Sequence, residues 1–232
     1  MKKARYWLVA TILLPLCYGL TIAFWQGIRP FKNVPEESFY FLLGVFSYFA
    51  FQWTFFRPMR TYVFGHELTH ALAAWMVGAK VKRFKVSKHG GSVSVSKSNV
   101  FISLAPYMFP TYALMLLSVY AVINHFWFPL NAWWRWFLWM LGGSLGFHIA
   151  LTVYALRQGQ PDLKHGGKFL SGVLIYIANA VVLVFMLSIL FPRTVPWDHV
   201  VKVGGRETWG AVEKLAAGSD LIWQQVKTAV SP

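Results

Sequence analysis

Acidic residues are scarce in this chain of 232 residues, which has 8 Asp and Glu against 22 Lys and Arg and a formal net charge of +14. Charged residues of both signs make up only 13% of the sequence, whereas 56% is hydrophobic. A soluble domain of this length cannot bury so much apolar surface in one core. The shortage of charge therefore excludes an ordinary soluble protein and indicates a membrane protein.

Cysteine is nearly absent as well. Cys17 is the only one, so no disulfide can form within the chain. Its context, Leu14-Pro15-Leu16-Cys17, lacks the small residue that precedes the cysteine of a lipoprotein signal. The basic start and the apolar stretch after it are interpreted as a first membrane span rather than a cleaved signal peptide, because no small-x-small cleavage site follows.

Apolar residues are concentrated in runs, most of them near the ~20 residues that a helix needs to cross a bilayer. The runs are Tyr6–Ile28, Ser38–Phe56, Tyr62–Gly78, Val100–Ile123, Trp133–Leu156 and Phe169–Phe191. The sequence thus predicts an all-α polytopic membrane protein with about six transmembrane helices. The Lys and Arg residues lie in loops and at span ends, which favours contact with the anionic headgroups of a lipid bilayer and argues against nucleic acid.

We divide the chain into two N-terminal spans (1–56), a membrane core (57–192) and a C-terminal amphipathic tail (193–232). Within the core, the alternating segment 80–98 predicts a β-hairpin around a turn at Gly90-Gly91. The tail is expected to lie on the membrane surface and to split at Gly218-Ser219-Asp220 into two short helices, with Ser219 as an N-cap. No room is expected for a further soluble domain.

The chemistry-bearing motif is Gly65-His66-Glu67-Leu68-Thr69-His70, inside an apolar run. On a helix, residues four apart share a face, so both imidazoles can reach one metal ion, and zinc suits them best. Glu67 could accept a proton from zinc-activated water and pass it to a leaving amine. The alternative is a structural polar cluster, but buried ionisable groups are costly in a membrane unless they have a function.

A catalytic zinc ion needs a third protein ligand. Asp162 is the first candidate, because it and Glu67 are the only acidic residues between Ser38 and Phe191. Pro161 and nearby glycines break the helix there and allow the carboxylate to turn back toward the motif. His148 and His165 are alternatives for this position or for a second shell around the metal, and a solvated Asp162 is the non-functional interpretation.

From Gly65 to Gly167 the chain resembles the site-2 protease family of intramembrane zinc metalloproteases. The similarity is strongest from His66 to Phe84, where the motif is followed by an Ala-rich half-helix, a Gly, and a hairpin that begins with Val and reaches a Phe. Ile102-Ser103-Leu104-Ala105-Pro106 resembles the family's small-Gly-Pro element without its Gly. Pro161-Asp162 resembles the family's third-ligand element, although Leu163 follows where a Gly is common and the upstream Asn is missing.

The resemblance implies a minimal family member without a PDZ domain, binding about one zinc ion per chain. It implies cleavage of transmembrane or membrane-adjacent segments of membrane-protein substrates, with Glu67 as general base and acid. Val93 and Val95 are hypothesised to hold an extended substrate by strand addition. The expected location is a bacterial cytoplasmic membrane. The alternatives are an inactive metal-binding chaperone or scaffold, and an ion-translocating membrane protein. Neither the oligomeric state nor the substrate is specified by the sequence.

The basic residues place two demands on the membrane topology. The basic hairpin favours the cytoplasmic side, and so do Arg57 and Arg60. Six alternating spans cannot place both there. The family resemblance favours a cytoplasmic hairpin with the N-terminus outside, unless the number of spans around Arg57–Arg60 is wrong by one.

Overall fold

A computed structural model describes residues 2–33, 35–87, 90–126, 131–159, 161–164 and 166–230. Within them the chain is 81% helical and contains one two-stranded antiparallel sheet. The elements are α1 (Lys2–Ile12), α2 (Leu14–Ile28), α3 (Pro35–Thr54), α4 (Met59–Met76), β1 (Val81–Ser87), β2 (Gly90–Val95), α5 (Val100–Met108), α6 (Thr111–Phe126), α7 (Trp134–Arg157), α8 (Lys168–Leu190) and α9 (Trp197–Val230). The predicted helical fold with a small hairpin after the motif helix is confirmed.

Three helical stretches of the described residues are long and apolar enough to cross a membrane: Lys3–Ile28, Trp134–Arg157 and Lys168–Leu190. α5 and α6 qualify together as a fourth, bent by 71°. The bend falls at Pro110, which has no amide hydrogen to continue a helix. The expected count of six is not confirmed, because α3 begins with Glu36 and Glu37 and α4 carries polar residues.

The chain folds into two compact units, and Lys32–Ser171 is the one that contains the motif helix and the hairpin. Its largest helix contact is between α3 and α7. The backbones meet at glycines: a Cβ on Gly44 would lie 1.9 Å from the carbonyl oxygen of Trp139, and one on Gly142 would lie 2.0 Å from that of Phe41. Small residues allow helices to approach this closely in a membrane.

The α3–α7 pair is parallel. Glu36 forms an ion pair with Arg135 at the start of both helices, and the rings of Tyr48 and Phe147 lie 5.4 Å apart further along. Just beyond α3, Arg57 lies over the ring of Tyr154 near the end of α7. If both helices cross the membrane, the chain between them crosses an odd number of times. Six alternating spans would instead make α3 and α7 antiparallel, so the parallel packing of these two helices does not support that count.

The predicted hairpin is present, with Phe84 opposite Val93 and Val86 opposite Gly91. Gly90 and Gly91 were expected in the turn but belong to β2, because Gly90 already pairs with Ser87. The hairpin packs against α4. Its open end, at Val81 and Val95, meets a small core of buried alanines at the end of α4 and the start of α5, so the hairpin lies alongside the motif helix.

The other unit consists of Met1–Phe31 and Gly172–Pro232, in which α2 packs against α9. α9 is continuous through Gly218-Ser219-Asp220, which corrects the expected division into two helices. The Ser219 hydroxyl does not cap a new helix. It donates a hydrogen bond of 2.6 Å to the carbonyl of Ala216 within the same helix.

Candidate metal centre

His66 and His70 lie on one face of α4, as their spacing predicts. Their ring centroids are 4.8 Å apart and the ring planes are nearly perpendicular. Only 10% and 12% of the two side chains are exposed. Two imidazoles are thus held close together on a single rigid helix, largely shielded from solvent.

Asp162 comes to the same place from a distant part of the chain. α7 ends at Arg157, Gly159 turns the backbone with a φ of +66°, and a short 3-10 helix follows at Pro161–Lys164. The Asp162 Oδ2 atom lies 3.4 Å from His66 Nε2 and 3.6 Å from His70 Nε2. The predicted break after the fifth apolar run does bring this carboxylate back to the motif.

The three side chains fit a zinc ion by type and by spacing. Each offers one ligand atom, and these atoms lie within 4.8 Å of one another. Zinc–nitrogen and zinc–oxygen bonds of about 2.0–2.1 Å in a tetrahedron separate neighbouring ligand atoms by roughly 3.4 Å. The two distances to Asp162 Oδ2 are close to that value. Two imidazoles and one carboxylate also leave a fourth position open, as catalytic zinc sites require.

The other ring nitrogens of the two histidines have hydrogen-bond partners. His70 Nδ1 lies 2.7 Å from the carbonyl oxygen of Ile102, which can only accept, so this nitrogen carries the proton and leaves Nε2 for a metal. His66 Nδ1 lies 3.2 Å from the Tyr62 hydroxyl. The Asn99 side chain caps α5 by accepting from the Ile102 amide, which fixes the start of the helix that supplies this carbonyl.

Asp162 has a partner as well: the Tyr107 hydroxyl donates a hydrogen bond of 3.0 Å to Oδ2. Burial by itself would raise the pKa of the Asp162 carboxyl, but the adjacent side chains of His66 and His70 outweigh burial and hold this pKa well below its ordinary value. The ionised carboxylate is the form that binds a metal ion.

Glu67 is buried and faces β2. The backbone of Val93 is its hydrogen-bonding partner, and a Cβ on Gly91 would lie only 2.5 Å from Glu67 Cγ. A cleft of about 290 Å³ adjoins these groups. It is lined by His66, Glu67, His70, Gly91, Ser92, Val93, Val95, Ser98, Ile102, Ser103, Pro161 and Asp162. The structure therefore places Val93 and Val95, predicted to contact substrate, beside the proposed ligands and base.

The two alternative histidines are placed differently. His148 lines a second cavity that borders His66, together with Tyr112 and Thr152, and does not belong to the ligand group found among the described residues. His165 lies outside the described residues. The sequence alone did not point to Tyr62 or Tyr107, which contact His66 and Asp162. Nothing distinguished them in a chain that is 18% aromatic.

The fold and the site define a helical protein in which an aspartate converges on a His-Glu-x-x-His motif. Several of its helices are long and apolar enough to cross a membrane. Residues 39–197 match the family model described as Peptidase M50B-like. The chain therefore belongs to the peptidase M50B-like family, which confirms the resemblance to site-2 proteases. No curated protein and no solved structure gives a significant match.

Proposed function

We propose that this protein is an intramembrane zinc endopeptidase that hydrolyses peptide bonds in transmembrane or membrane-adjacent segments of membrane proteins. One observation carries the proposal: His66, His70 and Asp162 converge on a cleft that also contains the buried carboxylate of Glu67. Membership of a peptidase family supports the same reaction class. The occupancy we propose is about one zinc ion per chain, held by these three side chains.

The bound zinc ion would polarise the scissile carbonyl and promote loss of a proton from water. Glu67 accepts that proton and delivers it to the amine that leaves when the C–N bond breaks. Because the Glu67 carboxylate is buried, water stabilises its charge poorly and it accepts a proton more readily. The backbone of Val93 holds it beside the ligands. His66 and His70 act as neutral imidazoles, oriented by Tyr62 and Ile102.

The hairpin is proposed to hold the substrate. A transmembrane helix hides its carbonyls in its own hydrogen bonds, so the segment to be cut must first be extended. β2 lines the cleft with Ser92, Val93 and Val95, and a strand there can pair with an extended peptide. Substrates are accordingly expected to carry helix-weakening Gly, Asn or Pro near the cut.

Zinc content and proteolysis of the purified full chain test the proposal together. Wild type should carry about one zinc per chain, His66→Ala and His70→Ala should lose it, and Glu67→Gln should keep it without turnover. A proteomic comparison of membranes carrying wild type and Glu67→Gln should reveal substrates that are cut only by wild type. Full zinc content in His70→Ala would disprove the proposed metal site. Equal cleavage by Glu67→Gln and wild type would favour a metal-binding protein without catalysis.

We also propose a bacterial cytoplasmic membrane as the location. The support comes from the apolar helices and from basic residues at their ends, which suit an anionic cytoplasmic leaflet. Fractionation of cells expressing the full chain tests it. Recovery in a soluble fraction would contradict it.

A further inference from the structure

Tyr107 lies deep in the unit that contains the metal centre. It is on α5, and its side chain is fully buried. Its hydroxyl donates a hydrogen bond of 3.0 Å to Oδ2 of Asp162, the same oxygen that faces Nε2 of both histidines. Its ring meets that of His66 edge-on, with centroids 5.3 Å apart. Tyr107 therefore touches two of the three proposed ligands.

Asp162 needs such a contact more than the histidines do. Both histidines are fixed by α4, whereas Asp162 sits on a 3-10 helix of four residues between two long helices. Of the helices and strands that the structure describes, α5 packs most extensively against this short helix. α5 is itself anchored, because Asn99 caps its start and all of Ile102–Met108 is buried. A rigid helix thus presents a fixed hydroxyl to a carboxylate that is carried by a single short helical turn.

We propose that Tyr107 is a positioning residue for the third metal ligand. Its hydroxyl holds the Oδ2 atom in place beside Nε2 of both imidazoles, and these are the atoms that would hold a zinc ion. This inference rests on the proposed metal site and adds to it a residue that contacts the carboxylate from outside. Outer hydrogen bonds of this kind typically change metal affinity by about 10–100-fold.

The test compares zinc affinities of full-length variants in detergent, measured by competition with a chromophoric chelator. Tyr107→Phe removes only the hydroxyl and should weaken zinc binding by about tenfold or more. Tyr120→Phe is the matched control, since Tyr120 stacks on Phe137 in α6 and α7, away from the ligands. Unchanged zinc affinity in folded Tyr107→Phe would overturn the proposal.

A double-mutant cycle separates positioning from a general loss of packing. Because Tyr107 acts through the carboxylate, Tyr107→Phe should lower metal affinity in wild type but not in Asp162→Ala. The absorption spectrum of the cobalt-substituted protein should also change in Tyr107→Phe, since the ligand geometry changes. An equal loss of affinity in both backgrounds would show that the residue does not act through Asp162 and would overturn the inference.

Two further measurements separate a folding defect, and a failure of the metal site itself, from a failure of the positioning role. If Tyr107→Phe does not fold, 3-fluorotyrosine at position 107 keeps the shape and the hydroxyl. Its fluorine resonance should move when zinc is added, whereas the same label at position 120 should not. No zinc-dependent shift at position 107 would overturn the inference. Full zinc in His70→Ala would instead reject the metal site itself, so failure of the proposed function is recognised separately.

Discussion

Glu67 depends on a residue that has no side chain. Gly91 of β2 lies so close that a Cβ there would be 2.5 Å from Glu67 Cγ and 2.6 Å from Val63 Cγ1. Both neighbours belong to α4, and Glu67 itself is buried, which leaves it little space to move into. Any larger residue at position 91 must push the strand away or move the carboxylate. The hairpin therefore fixes the position of the proposed general base.

Gly91→Ala should retain zinc and lose most of its turnover. The atoms nearest to a Cβ at position 91 belong to Glu67 and Val63 and not to a proposed ligand. Glu67 must therefore move, and a displacement of about 1 Å can cost about 100-fold in rate. Cleavage of a substrate identified by proteomics, measured in proteoliposomes beside zinc content, checks this. Gly172→Ala is the control, because a Cβ there meets nothing within 4 Å. Wild-type turnover by Gly91→Ala would show that the strand does not hold Glu67.

Asp162→Ala should weaken zinc binding far more than His148→Ala or His165→Ala does. Asp162 Oδ2 lies near both imidazoles, whereas His148 lines the neighbouring cavity. Losing one of three ligands leaves two histidines, which hold zinc weakly. Metal content after dialysis against a mild chelator measures the difference. Loss of zinc in His148→Ala, with Asp162→Ala unaffected, would mean that the third ligand is assigned wrongly.

The sequence predicted the three proposed metal ligands, because their residue types and positions can be recognised without the fold. The spacing of His66 and His70 specifies a shared helix face without knowledge of the fold. Asp162 was suggested by the scarcity of acidic residues in the apolar region. Tyr107 and Gly91 act through contacts with distant residues, at Asp162 and Glu67, and no local pattern encodes such contacts.

The secondary-structure elements also differ in how well a local sequence pattern predicts them, as the hairpin and the bend between α5 and α6 show. Alternation in 81–87 and 92–96 predicted two strands, since side chains of a strand point to opposite faces in turn. The bend between α5 and α6 was missed because apolar content continues through Phe109 and Pro110. α9 stayed continuous through Gly218 although glycine and serine weaken helices, a cost of only about 1 kcal/mol for the glycine that the rest of the helix tolerates.

Val95→Pro should reduce cleavage and leave zinc content unchanged. Proline removes the amide that an added substrate strand would use, and Val95 lines the cleft without being one of the proposed ligands. Val93→Pro should also reduce cleavage, but Val93 additionally contacts Glu67 through its backbone, so Val95 is the cleaner position. Turnover in proteoliposomes and zinc content are measured together.

The control for this strand is Val95→Ala, which shortens the side chain and keeps the amide. It should retain most of the activity if backbone pairing is what matters. Normal cleavage of a membrane substrate by both proline variants, with the hairpin folded, would reduce the segment to a basic loop at the headgroups. Equal losses in Val95→Pro and Val95→Ala would instead assign the effect to the side chain.

For the whole chain, the parallel packing of α3 and α7 predicts a topology in which the basic segments no longer compete for opposite sides of the membrane. The ends of these helices lie on one side, so Arg57 and Arg60 share that side with Arg157. The hairpin lies near the same side, because β2 lines one cleft with Asp162, which follows the end of α7. Basic residues that six alternating spans would divide between two sides are then together, as the positive-inside rule favours for a cytoplasmic face. If α3 and α7 both cross the membrane, α4 and the bent α5–α6 pair together contribute an odd number of crossings.

This topology predicts which positions a membrane-impermeant thiol reagent reaches from the same side. In a Cys17→Ser background, Phe56→Cys and Gln158→Cys, which follow α3 and α7, should be labelled together from the cytoplasmic side of sealed vesicles. Ala132→Cys, which precedes α7, should be labelled only from the other side. All three positions are exposed, so access depends on the membrane and not on burial. Labelling of Phe56→Cys and Gln158→Cys from opposite sides would restore six alternating spans, and it would require α3 to leave its parallel contact with α7.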